Sequence, residues 1–165
     1  MSITIRPAEK QDLVDIVRIY NESIIKKGLT ADLDQITVHD RQEWFEEHSN
    51  ARYPLLVASQ NDQVIGWISL SPYRKGRKAL ENVTEVSLYI AHSHIGKGVG
   101  SDMMQCMIEM AKEAGYKNMI AILIETNERS VGLFAKYGFE LWGTLPGIVE
   151  IDGQTYNHSY YGRKL

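Results

Sequence analysis

The segment Gly96-Lys97-Gly98-Val99-Gly100-Ser101 sets three alternating glycines between an extended run and a helical pattern. Glycine lets a chain turn tightly with no Cβ in the way, so successive backbone N–H groups can face an anion. A helix starting at the same place adds its own unsatisfied donors, and together they make a cradle for a phosphate or pyrophosphate. Lys97 either adds charge at the rim or is an ordinary solvated lysine. The bland alternative is a tight strand-to-helix link packed closely on a sheet. Two phosphate motifs do not match. A P-loop ends in Gly-Lys-Ser/Thr after four spacers, whereas Gly96-Lys97 is followed by Gly98. A dinucleotide fold puts its glycines after the first strand, and here they come mid-chain, after about four strands.

Glu85 is the second conspicuous residue. It interrupts a strand, Thr84 to Ile90, that otherwise reads as core, and is either an acid-base group or a solvent-facing residue paired with an arginine. The five histidines, His39, His48, His92, His94 and His158, show no ligand spacing joined to other donors, so no metal site is expected. His92 and His94 are placed on one strand face. Cys106, the one cysteine, has Met104, Met107 and Ile108 for neighbours and reads as a buried thiol rather than a nucleophile. Trp44, Trp67 and Trp142 read as core or interface residues.

The 165 residues suit a single domain, 1–165, with no low-complexity linker to divide it. Eighteen basic against 21 acidic residues give no reason to expect a nucleic-acid partner. Nowhere does the chain approach the roughly 20 apolar residues of a membrane span, and its start lacks a secretion pattern, so the expected location is the cytoplasm.

These groups must be carried by a mixed sheet with helices over it. Ile3 to Arg6 alternates as a first strand, and Leu13, Ile16, Val17, Tyr20 and Ile24 recur at helical spacing up to a stop at Gly28. A short helix is expected from about Asp40 to His48. Leu55–Ala58 and Val64–Ser71 form an antiparallel hairpin around Gln60, Asn61 and Asp62. Arg74 to Lys78 is an exposed basic connection. Ser101 to Ala114 is helical with Met103, Met104, Met107, Ile108 and Ala111 inward, and Met119 to Ile124 is a strand buried on both faces. A further helix spans Asn127 to Tyr137, followed by strands at Phe139–Trp142 and Tyr156–Arg163.

Taken in order, Thr84-Glu85-Val86-Ser87-Leu88-Tyr89-Ile90, the glycine turn, Asn127-Glu128-Arg129-Ser130 and Phe134-Ala135-Lys136-Tyr137-Gly138-Phe139 resemble the GCN5-related N-acetyltransferase (GNAT) superfamily, specifically its phosphinothricin acetyltransferase-like branch. Ile19-Tyr20-Asn21, the Arg41–Phe45 stretch and the tail from Pro146 to Gly153 extend the resemblance over nearly the whole chain. It implies an α+β three-layer fold, an acyl-CoA N-acyltransferase sheet with a splay between two parallel strands, and acetyl-CoA as co-substrate. Backbone groups of Leu88 and Ile90 would pair with pantetheine, Gly96, Lys97, Gly98, Val99, Gly100 and Ser101 would hold the pyrophosphate, and Asn127 with Ser130 would stand at the pantetheine arm. Asn127 is equally a helix N-cap. Ile95 departs from the Gln or Arg usual at its position, which removes a side-chain contribution to the turn.

Acetylating an amine needs a neutral nitrogen, yet at pH 7 an alkylamine of pKa about 10 is mostly protonated. By the resemblance, Glu85 is the base, directly or through a water, and the N–H of Leu88 polarises the carbonyl. The wider superfamily often uses a tyrosine to protonate the leaving thiolate; here that position is Phe134, and Tyr137 is three residues away. Tyr20, Asn21, Tyr73, Arg74, Arg77 and Tyr89 are the polar candidates for the acceptor pocket, Arg74 or Arg77 being a natural partner for a carboxylate. The expected acceptor is a small-molecule amine, an amino acid or analogue such as phosphinothricin or methionine sulfoximine. A protein or peptide N-acetyltransferase is the alternative, and a non-enzymatic CoA-binding module a third class. Trp142, Leu145, Pro146, Ile148 and Val149 form a late apolar stretch, from which a homodimer is expected.

Overall fold

The computed structural model describes residues 2–48 and 50–165. Seven strands form one sheet in the order β1-β2-β3-β4-β5-β7-β6. They are β1 (Thr4–Pro7), β2 (Leu55–Gln60), β3 (Gln63–Pro72), β4 (Val83–Ile90), β5 (Asn118–Ile124), β6 (Glu140–Ile151) and β7 (Gln154–Lys164). Among the described residues four α-helices cover it: α1 (Leu13–Lys26), α2 (Gln42–Glu47), α3 (Val99–Glu113) and α4 (Glu128–Lys136). All pairings are antiparallel except β4 with β5. This is the mixed three-layer arrangement expected from the strand and helix order.

The two faces of the sheet are filled from the residues whose periodicity marked them. α1 buries Leu13, Ile16, Val17, Tyr20 and Ile24 against Val57, Trp67 and Phe45. On the opposite face α3 buries Met103, Met104, Met107 and Ile108 against Ile68, Leu70, Val86 and Met119. The β2–β3 hairpin turns through Asn61 and Asp62 at φ 51° and 61°, the left-handed pair that matches strand twist. No helix among the described residues is long and apolar enough to cross a membrane.

Three expectations are corrected. Cys106 is exposed, because the stripe 103, 104, 107, 108 leaves positions 105, 106 and 109 on the outer face; sequence neighbours are not face neighbours in a helix. His92 and His94 lie in a 3-10 turn, His92–His94, and not on a strand. The strand expected at Phe139–Trp142 runs twelve residues, to Ile151. Gly143, Pro146 and Gly147 hid it, and the edge strand absorbs them in register shifts at Leu141/Gly143 and Leu145/Val149.

Candidate active site

The site begins where two parallel strands part. β4 and β5 pair through Val83–Asn118, Thr84–Met119 and Glu85–Ile120, and no further. Beyond Glu85, β4 remains bonded to β3 as far as Ile90–Gly66, while β5 remains bonded to β7 as far as Ile124–His158. The Ala91 N–H donates to the Ile65 carbonyl at 2.9 Å. By strand alternation the backbone groups of Glu85, Ser87 and Tyr89 therefore face β3, and those of Leu88 and Ile90 face the gap.

The gap opens into a cleft of about 650 Å³ whose walls include Leu88, Ile90, Gly96, Gly98, Gly100, Ser101, Asn127 and Ser130. Lys97 and Val99 do not line it with their side chains: Lys97 is exposed and Val99 is buried beneath the turn. Gly96 and Gly98 sit at φ +80° and +87°, and a Cβ at either would meet nothing within 4 Å. The turn thus faces open space, and the N–H groups of residues 96 to 100 find no partner among the described residues. Gly100 has a different reason to be small, since a Cβ there would stand 3.2 Å from Leu133 Cδ2.

Neighbouring helices hold this frame. Glu22 of α1 accepts the His92 N–H at 2.8 Å. From α4, the Tyr137 hydroxyl donates to the Ser101 carbonyl at 2.8 Å and Lys136 Nζ to Ser101 Oγ at 3.2 Å. Asn127 caps α4 by accepting the Ser130 N–H at 3.3 Å, while its amide nitrogen, with no partner among the described residues, belongs to the cleft wall. Both readings of Asn127 are therefore compatible. Arg129 and Lys26, which the sequence did not single out, supply cationic side chains to the same wall. The unpartnered amides, the open glycines and the unpaired edge of β4 fit the pyrophosphate and pantetheine of acetyl-CoA.

A second cavity, about 380 Å³, adjoins the first, sharing Leu29, Glu85, Ser87, Tyr89 and Ile122 with it. Trp44, Trp67 and Tyr20 wall it together with Thr30, Asp32, Arg41, Ser69 and His158. Trp67 and Tyr89 stack at 4.7 Å between centroids, and the Tyr20 hydroxyl donates to Asp32. Glu85 stands at the junction, with no hydrogen bond or ion pair among the described residues, and burial pushes its carboxyl above the usual carboxylate range. Burial likewise raises the Tyr89 phenol.

The expected acceptor residues divide. Tyr20 and Tyr89 line the cavity; Tyr73, Arg74 and Arg77 line neither space. The basic connection leans instead toward the end of α2, where Lys75 pairs with Glu47 at 2.7 Å, and both arginines stay exposed. Asn21 is committed elsewhere: its amide donates to the Ile36 carbonyl and accepts the Ile36 N–H, each at 2.9 Å, pinning the loop that follows α1. Phe134 reaches the cleft wall and packs edge-to-face on Phe139 at 4.9 Å, while the Tyr137 hydroxyl is spent on α3.

A splayed parallel pair, an amide cradle at a helix start and an unpaired carboxylate between two joined cavities define an acyl-CoA-dependent transferase. The chain belongs to the GNAT acetyltransferase family, whose domain model, described as an acetyltransferase (GNAT) domain, matches residues 2–140. It is similar to YwnH of Bacillus subtilis, provisionally named a phosphinothricin acetyltransferase, at 42% identity over 164 residues and 99% of both chains. The L-methionine sulfoximine/L-methionine sulfone acetyltransferase of Pseudomonas aeruginosa is 32% identical over 149 residues, 90% of this chain and 86% of that one. Among solved structures, a phosphinothricin acetyltransferase from Sinorhizobium meliloti in complex with acetyl-CoA superposes with a TM-score of 0.93 at 27% identity, over 100% of this chain and 89% of that one. The protein is an acetyl-CoA-dependent N-acetyltransferase of the phosphinothricin acetyltransferase-like branch.

Proposed function

We propose that the acceptor is the amine of a small molecule of amino-acid size, in the class of phosphinothricin or methionine sulfoximine, and that Glu85 is the base that prepares it. The carrying observation is the second cavity, walled in part by Tyr20, Trp44, Trp67 and Tyr89 and meeting the acetyl-CoA cleft at Glu85. Its volume suits a compact ligand. The substrates named for the Bacillus and Pseudomonas relatives are of the same size class.

Acetyl-CoA supplies the acetyl thioester, and its thiol is the leaving group. The protein's part is to orient and to move one proton. Contact with the aromatic rings that form part of the wall desolvates the bound amine and favours its neutral form. Glu85, itself raised by burial, takes the amine proton directly or through one water. The Leu88 N–H, directed into the gap, is a fixed donor for the carbonyl oxygen. No phenol of α4 reaches the cleft, and a thiol of ordinary pKa, about 8.5, can depart as thiolate beside backbone dipoles.

The reading extends to assembly. Leu141, Trp142, Leu145 and Ile148 are 57%, 44%, 44% and 58% exposed on the edge strand β6, which supports a two-fold homodimer.

The test is CoA release in a screen of free amino acids and analogues, with peptides as the comparison. Turnover confined to peptides would replace the reading with a peptide N-acetyltransferase.

A further inference from the structure

Two polar groups in the second cavity have no use in the mechanism above. Arg41 ends a 3-10 turn, His39–Arg41, directly before α2. Its guanidinium carbon lies 4.5 Å from the ring centroid of Tyr20 and 4.9 Å from that of Trp44. Two aromatic rings therefore hold the guanidinium in place. Yet the group makes no ion pair and no hydrogen bond among the described residues. Arg18, by contrast, is bonded to Asp15 and Glu22. A guanidinium held by two aromatic rings, with its donors unused and turned onto a cavity wall, is poised for a planar anion.

Ser69 is the second group. It is 1% exposed, its hydroxyl is the one buried side-chain polar atom without a partner among the described residues, and it lines the same cavity. Its cross-strand partner is Ser87, one position along from the Ser71–Glu85 pair on that sheet face, counting alternate residues. Burying an unpaired hydroxyl costs about 1–3 kcal/mol, so such a group is rare unless something bonds to it.

We propose that Arg41 is the residue that binds the acid group of the acceptor, and that the Ser69 hydroxyl meets another polar atom of the same molecule. The occupant then faces a guanidinium on the wall and a carboxylate without a hydrogen-bond partner among the described residues, Glu85, at the junction with the cleft. An α-amino acid complements that pair, since its carboxylate and amine share one carbon. Asp32, the other carboxylate of the wall, accepts the Tyr20 hydroxyl, which leaves Glu85 as the wall carboxylate without a partner among the described residues. Arg41 thus takes the part that sequence reasoning assigned to Arg74 or Arg77. The inference rests on the small-amine reading and adds to it the residue that sets acceptor charge.

L-Methionine sulfone and its α-carboxamide, identical but for the acid group, serve as paired probes. The wild-type protein should favour the acid in kcat/KM by about ten-fold or more, the strength of a charge-assisted bond. Arg41→Gln should bring that ratio close to one, chiefly through KM, with acetyl-CoA affinity by calorimetry as the check on folding. Arg41→Lys keeps the charge but loses the two-pronged fork, and should lower the ratio at least about three-fold; it carries the test if the glutamine variant does not fold. Ser69→Ala should raise KM for L-methionine sulfone several-fold without lowering the melting temperature. A ratio unchanged in both Arg41 variants overturns the role of Arg41, and an unchanged KM in Ser69→Ala overturns that of Ser69. Equal use of acid and carboxamide by the wild type overturns the charge selection while leaving the small-amine reading intact. Turnover of neither, with peptides acetylated instead, overturns that reading itself.

Discussion

Glu85 and Ile120 are the last pair that joins β4 to β5, so the carboxylate proposed as the base sits at the vertex of the opening that fits acetyl-CoA. The same residue closes the sheet on one side and faces both cavities on the other. Its placement therefore follows from the splay itself.

Glu85→Gln should lower kcat by roughly 10²- to 10⁴-fold while acetyl-CoA affinity stays near normal. The loss should be deepest below the pKa of the amine, where deprotonation limits. Turnover profiles against pH, at saturating acetyl-CoA, check this; superposable profiles would return Glu85 to an ordinary strand residue.

The same substitution has a thermodynamic signature. Burial raises the folded-state pKa of Glu85, so between the unfolded and folded values the native chain holds the proton more strongly, and stability falls as pH rises through that window. Above it, the glutamine variant should melt no lower than wild type. A lower melting temperature at neutral pH would mean that the carboxylate has a stabilising partner.

His48 carries the opposite sign. It is 4% exposed, donates from Nδ1 to the Trp44 carbonyl at 2.6 Å and accepts the Ser71 hydroxyl at Nε2 at 2.8 Å. Burial lowers its pKa, so its contribution is present above the unfolded value of about 6.5 and is lost as pH falls through the folded value. His158 is lowered by burial too. Melting temperatures from pH 8 down to 5 should decline in the wild type, and the decline should flatten in part in His48→Gln. Parallel curves would remove His48 as a source.

Tyr137→Phe should cost about 0.5–1.5 kcal/mol through loss of its bond to the Ser101 carbonyl, with kcat held within about two-fold. Denaturant unfolding and steady-state rates separate the two effects. A hundred-fold fall in kcat would instead identify Tyr137 as a general acid.

Gly98→Val places a β-branched residue at φ +87°, where the turn must distort or the side chain must fill the space before the amides. Acetyl-CoA affinity should fall ten-fold or more, given about 1–2 kcal/mol for the left-handed backbone alone. Calorimetry on the folded variant decides, unchanged affinity counting against the cradle.

The edge strand β6 predicts a sedimenting species of twice the 18.8 kDa chain mass at micromolar protein, and Ile148→Asp should shift it to the single chain. One 18.8 kDa species in the wild type would end the dimer proposal.

The acetyl-CoA half of the site was legible because it is made of consecutive backbone, and Gly96, Gly98 and the strand before them announce their geometry in one short window. The acceptor half was legible only in part. Tyr20, Tyr89 and Glu85 stood out in the sequence and line the cavity, but Asp32, Arg41, Ser69 and His158 come from a loop, a turn and two strands, and only the folded sheet brings them to the same wall. Ser69 gave no signal at all, being a small residue in an apolar run. Arg74 and Arg77 attracted attention as loop cations beside the strand of Glu85, but reach was not readable from adjacency. The length of β6 was hidden by the glycines and proline that an edge strand tolerates.

The unpaired side of β4 has one more consequence. A sheet normally tolerates free edges only at its margins, and here Leu88 and Ile90 form a margin in the middle of the molecule. A ligand that bonds to them completes a seven-stranded sheet with a rung that is not polypeptide. The folded state is therefore coupled by mass action to the supply of that rung: at a hundred times the dissociation constant, bound acetyl-CoA adds about 2.7 kcal/mol of resistance to unfolding. Resistance to unfolding should thus rise and fall with acetyl-CoA concentration, and its withdrawal should loosen the seam between β4 and β5 first.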